Sequence, residues 1–254
     1  MKNITKIIFS ALLLALYTLP VFADNYWQIR AGAGVGLLFT DETTLGVTAH
    51  ETNDTLTEGD AGSNVIATVG LGYVIPFECE DCDDWQFFPG IIISLDGSYQ
   101  PKTNVTGDVW IYSDPAFDLY DYRASFENTN LMGNVTLGLL EYQRFTVFLQ
   151  GGLGIAWTDV GYYDTPKPGV TQGNLALESQ QNTTFAWQGG AGIGYALIPE
   201  LDLTLTYLYT DLGTVETSSQ FKSENNFGGT VVVDPAEFEL HQQSLVLGVQ
   251  WNFL

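Results

Sequence analysis

The feature that most constrains this chain is an alternation of apolar residues with small or polar ones, which recurs in eight separate pieces. Period-two patterning puts every second side chain on one face of a β-strand, whereas a helix repeats every 3.6 residues. Trp27, Ile29, Ala31, Ala33, Val35, Leu37 and Phe39 form one face of the first piece, against Gln28, Arg30, Gly32, Gly34 and Gly36. Val65, Ala67, Val69, Leu71, Tyr73 and Ile75 repeat the pattern against Thr68, Gly70 and Gly72. Further pieces fall over 87–99, 131–139, 145–157, 185–197, 201–209 and 245–253. The third is less clean, because Phe88 and Ile92 lie on the wrong face.

Each piece reaches the ~9–11 residues that a tilted strand needs to cross a bilayer. The connections alternate in length: long near 40–63, 101–123, 160–183 and 213–239, short near 76–86, 141–144 and 199–200. Aromatic residues gather at both ends of the apolar faces. Trp27, Tyr73, Phe87, Phe145, Tyr195, Trp251 and Phe253 lie toward the short turns, and Phe39, Trp157, Phe185, Trp187, Tyr207 and Tyr209 lie toward the long loops. Amphipathic rings settle at the two headgroup levels of a bilayer. A soluble β-sandwich also alternates, but nothing requires it to carry aromatics at both ends or to alternate its connections. The expected architecture is all-β: an eight-stranded antiparallel up-and-down transmembrane β-barrel.

The N-terminus points to the same compartment. Lys2 and Lys6 precede an apolar run from Ile7 to Leu19, and Val21-Phe22-Ala23 ends on a small residue. This is the layout of a secretory signal cleaved near Ala23, with the barrel domain over 24–254. No other stretch approaches the 18 apolar residues of a helical span, and a closed barrel is the other structure that satisfies every backbone group in lipid. The charge balance excludes a further class. Eight Lys and Arg face 30 Asp and Glu, giving −22, and loss of Lys2 and Lys6 takes this to −24. Phosphate-binding surfaces need clustered cations, so nucleic acid is not an expected partner.

Gly189-Gly190-Ala191-Gly192-Ile193-Gly194-Tyr195-Ala196-Leu197, the turn at Pro199-Glu200, and Leu201 to Gly213 resemble the sixth and seventh strands of small outer-membrane β-barrels of the opacity-protein and OmpA-transmembrane-domain type. Gly151 to Ala156 and the closing Leu247-Gly248-Val249-Gln250-Trp251-Asn252-Phe253 fit the same pattern. The resemblance implies a Gram-negative outer-membrane location and says little about activity. Two departures stand out. The family usually ends on an aromatic residue, whereas Leu254 follows Phe253 here. Its penultimate hairpin often points an Arg inward, whereas Thr204, Thr206, Leu208 and Thr210 take those positions here.

Several residue sets could carry function. Arg30 and Asp96 are inward charges of opposite sign within the spans, and are expected to pair across the lumen, because an unpaired charge there is costly. The many inward glycines read either as room for neighbours such as Phe148 and Leu208 or as a narrow water passage; the lumen size of eight strands favours the first. Cys79 and Cys82 form a C-x-x-C in the first short turn. A zinc site would want a second ligand pair, and the surrounding Glu78, Glu80, Asp81, Asp83 and Asp84 oppose a thiolate, so a small disulfide is expected. His241 and Ser244 stand three apart, on opposite faces of a strand, which disfavours a nucleophile–base pair; the other histidine, His50, lies in an acidic loop. The second long loop carries Trp110, Tyr112, Phe117, Tyr120 and Tyr122 among aspartates, a candidate extracellular contact surface. Packing of these rings on the barrel mouth is the plainer alternative. An echo, Asp114-Pro115-Ala116 and Asp234-Pro235-Ala236 after β-prone runs, suggests hairpins extending above the membrane. The overall expectation is a non-enzymatic surface protein, monomeric, without cofactor or metal, set among outer-membrane lipid and lipopolysaccharide and able to meet a host or surface partner. A small porin-like channel is the alternative, and a lipid A-modifying enzyme a more distant one.

Overall fold

The structure is a computed structural model that describes residues 25–47, 53–77, 85–171, 173–221 and 233–253. The strands in chain order are β1 (Tyr26–Thr40), β2 (Thr43–Val47), β3 (Asp54–Leu56), β4 (Gly59–Pro76), β5 (Trp85–Phe87), β6 (Gly90–Trp110), β7 (Asp118–Tyr142), β8 (Phe145–Pro166), β9 (Ala176–Ile198), β10 (Leu201–Glu216), β11 (Val233–Asp234) and β12 (Glu237–Phe253). Eight of them close a ring in which β1, β4, β6, β7, β8, β9, β10 and β12 are neighbours in turn, and β12 returns to β1. Every pairing in the ring is antiparallel. Closure leaves the ring without an unpaired edge, as lipid demands.

Along the lower part of the ring the apolar face points outward. Ile29, Val69, Ile93, Val135, Leu149, Leu153, Ile193, Leu205, Leu247 and Val249 are exposed. In water such a belt would drive association; in a bilayer it is the lipid contact. Aromatic pairs border it. Trp27 meets Tyr73 at 5.0 Å and Phe145 meets Tyr195 at 4.8 Å on the periplasmic side, while Trp187 meets Tyr209 at 5.6 Å on the other.

The strands run far beyond this belt. β7 has 25 residues, β9 23 and β8 22, about twice the length a bilayer requires. Much of what the sequence suggested as long loops is therefore strand: the segment joining β6 to β7 shrinks to residues 111–117, mostly two short 3-10 turns. The polarity inverts on the way up. On β7 the inward residues at lipid level are Asn128, Asn130, Met132, Asn134 and Thr136, mostly polar, but Tyr120, Tyr122, Ala124 and Phe126 above it. The outward residues change from Leu131 and Val135 to Asp121, Arg123 and Glu127. The solvent outside has changed from lipid to water, so the same pleat buries the opposite kind of side chain.

Two irregularities settle local points. Phe88 has φ 52°, a left-handed residue between β5 and β6 that breaks the alternation. Phe87 and Phe88 are therefore both exposed on the lower rim, and Phe88 is not misplaced on the inner face. Within the lumen, Gly192 sits against the Phe148 ring and the Leu205 carbonyl, with no space for a side chain. Glycine there makes room for a neighbour.

Candidate functional site

Three levels of the barrel interior differ in chemistry. At lipid level the lumen holds one polar network. The Arg30 guanidinium donates to Ser94 Oγ at 2.9 Å, Asp96 Oδ2 at 3.4 Å and Gln150 Oε1 at 3.2 Å. Asp96 Oδ2 also accepts from Ser94 Oγ at 2.6 Å and Asn134 Nδ2 at 2.7 Å, and Asn134 accepts in turn from Gln188 Nε2 at 2.6 Å. The network joins β1, β6, β7, β8 and β9. The structure thus brings Arg30 and Asp96 together, with 13% and 18% of their side chains exposed. A cavity of about 70 Å³ remains beside them. Nearer the periplasm a vestibule of about 320 Å³ is lined by Gln28, Glu141, Arg144, Asp202 and Asn252, among others.

Above the lipid the lumen is closed. Leu38, Leu56, Val105, Phe126, Val160, Leu177, Leu212, Phe238 and Leu240 are buried in one apolar cluster that fills the interior. Its aromatic centre is formed by Tyr122, Tyr162, Phe126 and Phe238, with ring centroids 5.7 to 6.3 Å apart. Tyr120 and Tyr122, expected from the sequence as contact residues, are 3% and 1% exposed and belong to this core. They alternate with Asp121 and Arg123 on a regular strand, and the inward half of that alternation has nowhere to go but the interior.

The core also buries titratable groups. Asp164 is 6% exposed; its Oδ1 accepts from Leu175 N–H at 2.6 Å. Burial pushes its carboxyl up to about 7, the Leu175 hydrogen bond opposes this, and the nearby Asp54 charge adds to it. Tyr162 is raised well above the usual phenol range by burial first and then by Asp164, Tyr122 and Asp54. Its hydroxyl has no hydrogen-bond partner among the described residues.

At the top, residues 111–117 form a compact tip. Tyr112 N–H donates to Asp54 Oδ1 at 2.9 Å, Ser113 Oγ donates to the Asn53 carbonyl at 2.7 Å, and Asp114 caps the turn at Pro115 by accepting from Ala116 N–H at 2.9 Å. Tyr112 and Ser113 both hold positive φ, 61° and 56°, a costly conformation for side-chain-bearing residues. The outcome is an edge-to-face pair, Tyr112 and Phe117, at 5.9 Å, with both rings nearly half exposed. Trp110, at the end of β6, is half-buried below them. Beneath the tip Lys167 Nζ reaches Asp108 and Asp118 at 2.6 Å and Asp121 at 3.5 Å. Burial works against its charge, but the hydrogen bonds it donates to Asp108 and Asp118 outweigh that and raise its pKa.

On the outer wall, at the upper rim, His241 and Ser244 occupy opposite faces: Ser244 is buried in the lumen and His241 looks outward. His241 Nδ1 lies 3.1 Å from Tyr209 Oη, and Nε2 lies 3.7 Å from Asp41 Oδ2. Sequence reasoning passed over Asp41 and Glu239 as members of a common group with His241, because they meet only through the β1–β12 pairing that closes the ring. Residues 1–23, His50, Cys79, Cys82 and Leu254 lie outside the described residues, so the expected signal, disulfide and terminal signature fall there.

Comparison with known proteins agrees with this architecture. The family described as "Outer membrane protein beta-barrel domain" matches residues 9–253. The outer membrane protein PagN of Salmonella typhimurium is 22% identical over 210 residues, 82% of this chain and 79% of that protein. Among solved structures, outer membrane protein OprG from Pseudomonas aeruginosa aligns over 89% of this chain and 95% of its own at 14% identity, TM-score 0.44. Ail, the attachment invasion locus protein of Yersinia pestis, aligns over 89% and 98% at 11% identity, TM-score 0.36.

Proposed function

The chain belongs to the outer membrane protein β-barrel domain family, a barrel of the Gram-negative outer membrane, and on that premise we propose that it is a non-enzymatic surface protein which binds a partner through the tip of the β6–β7 hairpin. The observation that carries the reading is the Tyr112–Phe117 pair. Two aromatic rings are held up to solvent on a backbone strained at two consecutive residues and braced by Asp54 and Asn53. Rigid exposed rings supply contact area at little entropic cost, and strained backbone persists where the surroundings over-determine it. Asp114, exposed, stands between the rings in sequence, so the partner is a protein surface that offers an apolar depression with a Lys or Arg at its rim. The partner meets this barrel from outside the cell, as a host or neighbouring surface protein.

The apolar core across the upper lumen supports a plugged barrel over a channel, because ions enter a packed apolar layer only at high cost. Residues 1–23 fit the proposal as the export signal removed on the way. The test uses cells displaying wild type or the Tyr112→Ser/Phe117→Ser variant, both checked for the heat-modifiable gel migration of a folded barrel. Binding of the variant to cultured host cells falls by tenfold or more if the tip makes the contact. Equal binding overturns the tip as the contact site. A steady single-channel conductance in planar bilayers would favour the channel reading, and altered lipid A after overexpression would overturn the non-enzymatic one.

A further inference from the structure

On the outer wall, just above the lipid belt, Asp41, Glu239 and His241 each bring one ligand atom to within 4.8 Å of the others. The closure of the ring makes this group. The β1–β12 register pairs Phe39 with His241 and ends at Thr40 with Leu240; Asp41 follows Thr40 just past the end of β1, and Glu239 precedes Leu240 on β12. Two carboxylates opposite one another repel. No Lys or Arg among the described residues forms an ion pair with either of them. Asp211, on the other side of His241, is committed elsewhere: it accepts from Trp187 Nε1 at 3.1 Å and from Gly213 N–H at 2.8 Å.

The histidine is oriented as a ligand would be. Tyr209 Oη, 3.1 Å from Nδ1, holds the ring so that Nε2 faces Asp41 at 3.7 Å; in the tautomer that carries its proton on Nδ1, the Nε2 lone pair is the one open to a cation. Fixing one ring nitrogen by an outer hydrogen bond so that the other can coordinate is the usual arrangement around a metal-bound histidine.

We propose that Asp41, Glu239 and His241 bind one divalent cation of the zinc type. The donor set is one imidazole nitrogen and two carboxylate oxygens, which suits a borderline first-row ion better than calcium or magnesium, whose sites are built from oxygen alone. Three protein ligands leave a coordination position open toward the headgroup layer. The ion removes the repulsion between Asp41 and Glu239 and ties the end of β1 to β12 at the seam of the barrel.

The test is zinc titration of the mature full-length chain, refolded in micelles with ¹⁵N-labelled histidine. The chain has two histidines, and His50→Gln assigns the signals of His241. The side-chain readout reports this site even if Cys79 and Cys82 also take up zinc. The His241 ring nitrogens shift on addition of zinc chloride and saturate, while magnesium chloride at the same concentration leaves them in place. In Asp41→Asn/Glu239→Gln, which keeps its heat-modifiable migration, the apparent affinity falls by about tenfold or more. Unmoved His241 signals at excess zinc, or an unchanged affinity in the double variant, overturn the site.

Discussion

Replacing Asp164 by Asn should stabilise the extracellular part of the barrel, and by an amount that depends on pH. Asp164 lies inside the apolar core, with its carboxyl raised to about 7 against 3.8 in the unfolded chain. A raised acid binds its proton more tightly in the folded state, so folding takes up a proton between those two values and stability falls as pH rises through them. The penalty is absent below about pH 4 and complete above about pH 7. At 1.36 kcal/mol per unit it amounts to about 2 kcal/mol at pH 5 and about 4 kcal/mol at pH 8, as ceilings. Asn keeps an oxygen for the Leu175 N–H, which Asp164 now accepts at 2.6 Å, and carries no charge to desolvate. The assay is amide hydrogen exchange across 160–177 in the micelle-bound barrel, read as the ratio of variant to wild type so that the intrinsic pH dependence cancels. Slowing in the variant should grow by about fiftyfold to a hundredfold between pH 5 and pH 8. A ratio that stays constant across that interval would refute the assignment of a buried, late-titrating carboxylate at this position.

Three other perturbations test other levels of the barrel. Asp96→Ala leaves the Arg30 guanidinium without its counter-charge and should lower the midpoint of heat-modified gel migration, by about 3 kcal/mol of stability; an unmoved midpoint would show that the pair contributes nothing. Phe126→Ala empties the centre of the upper core and should cost about 3–5 kcal/mol there, seen as protease sensitivity of the β6–β7 hairpin with the lipid-level barrel intact. Gly192→Val drives a side chain into the Phe148 ring and the Leu205 carbonyl and should abolish refolding into vesicles; a normally migrating folded band would contradict the packing.

The lipid-level barrel was legible in the sequence because a bilayer makes every outward residue apolar and a narrow lumen makes most inward residues small or polar. Trp27 to Phe39 against Gln28 to Gly36 cannot be read another way once it recurs around a ring. The upper half reads as loop from the sequence, and it is strand. Its signal was present, in Tyr120, Tyr122, Ala124 and Phe126 alternating with Asp121, Arg123, Ser125 and Glu127, but with the opposite parity to Leu131 and Val135 on the same strand. Continuing one parity through that switch makes the segment look irregular. Bulges between Gln100 and Thr103 on β6 and between Asp211 and Thr214 on β10 shift the count further. Of the candidate contact residues, Tyr120 and Tyr122 follow the packing alternative and are buried, whereas Tyr112 and Phe117, at a true chain reversal, stand exposed. The Asp41, Glu239 and His241 group is out of reach of the sequence because Asp41 lies about 200 residues from the other two and the closing of the ring alone brings it to them.

The switch of parity near Asn128 also acts as a depth gauge. Sinking the barrel by one pleat would carry Glu127 and Asp159 toward hydrocarbon, at a cost that rises with depth. Raising it would lift Leu131 and Ile155 into water. The protein is therefore pinned at one height. Ten residues of β7 separate that level from Asp118, about 33 Å of strand and about 25 Å of elevation at the usual tilt of barrel strands. The headgroup layer occupies only about 5–8 Å of it. Tyr112 and Phe117 ride on a mast of fixed length, clear of the lipid surface.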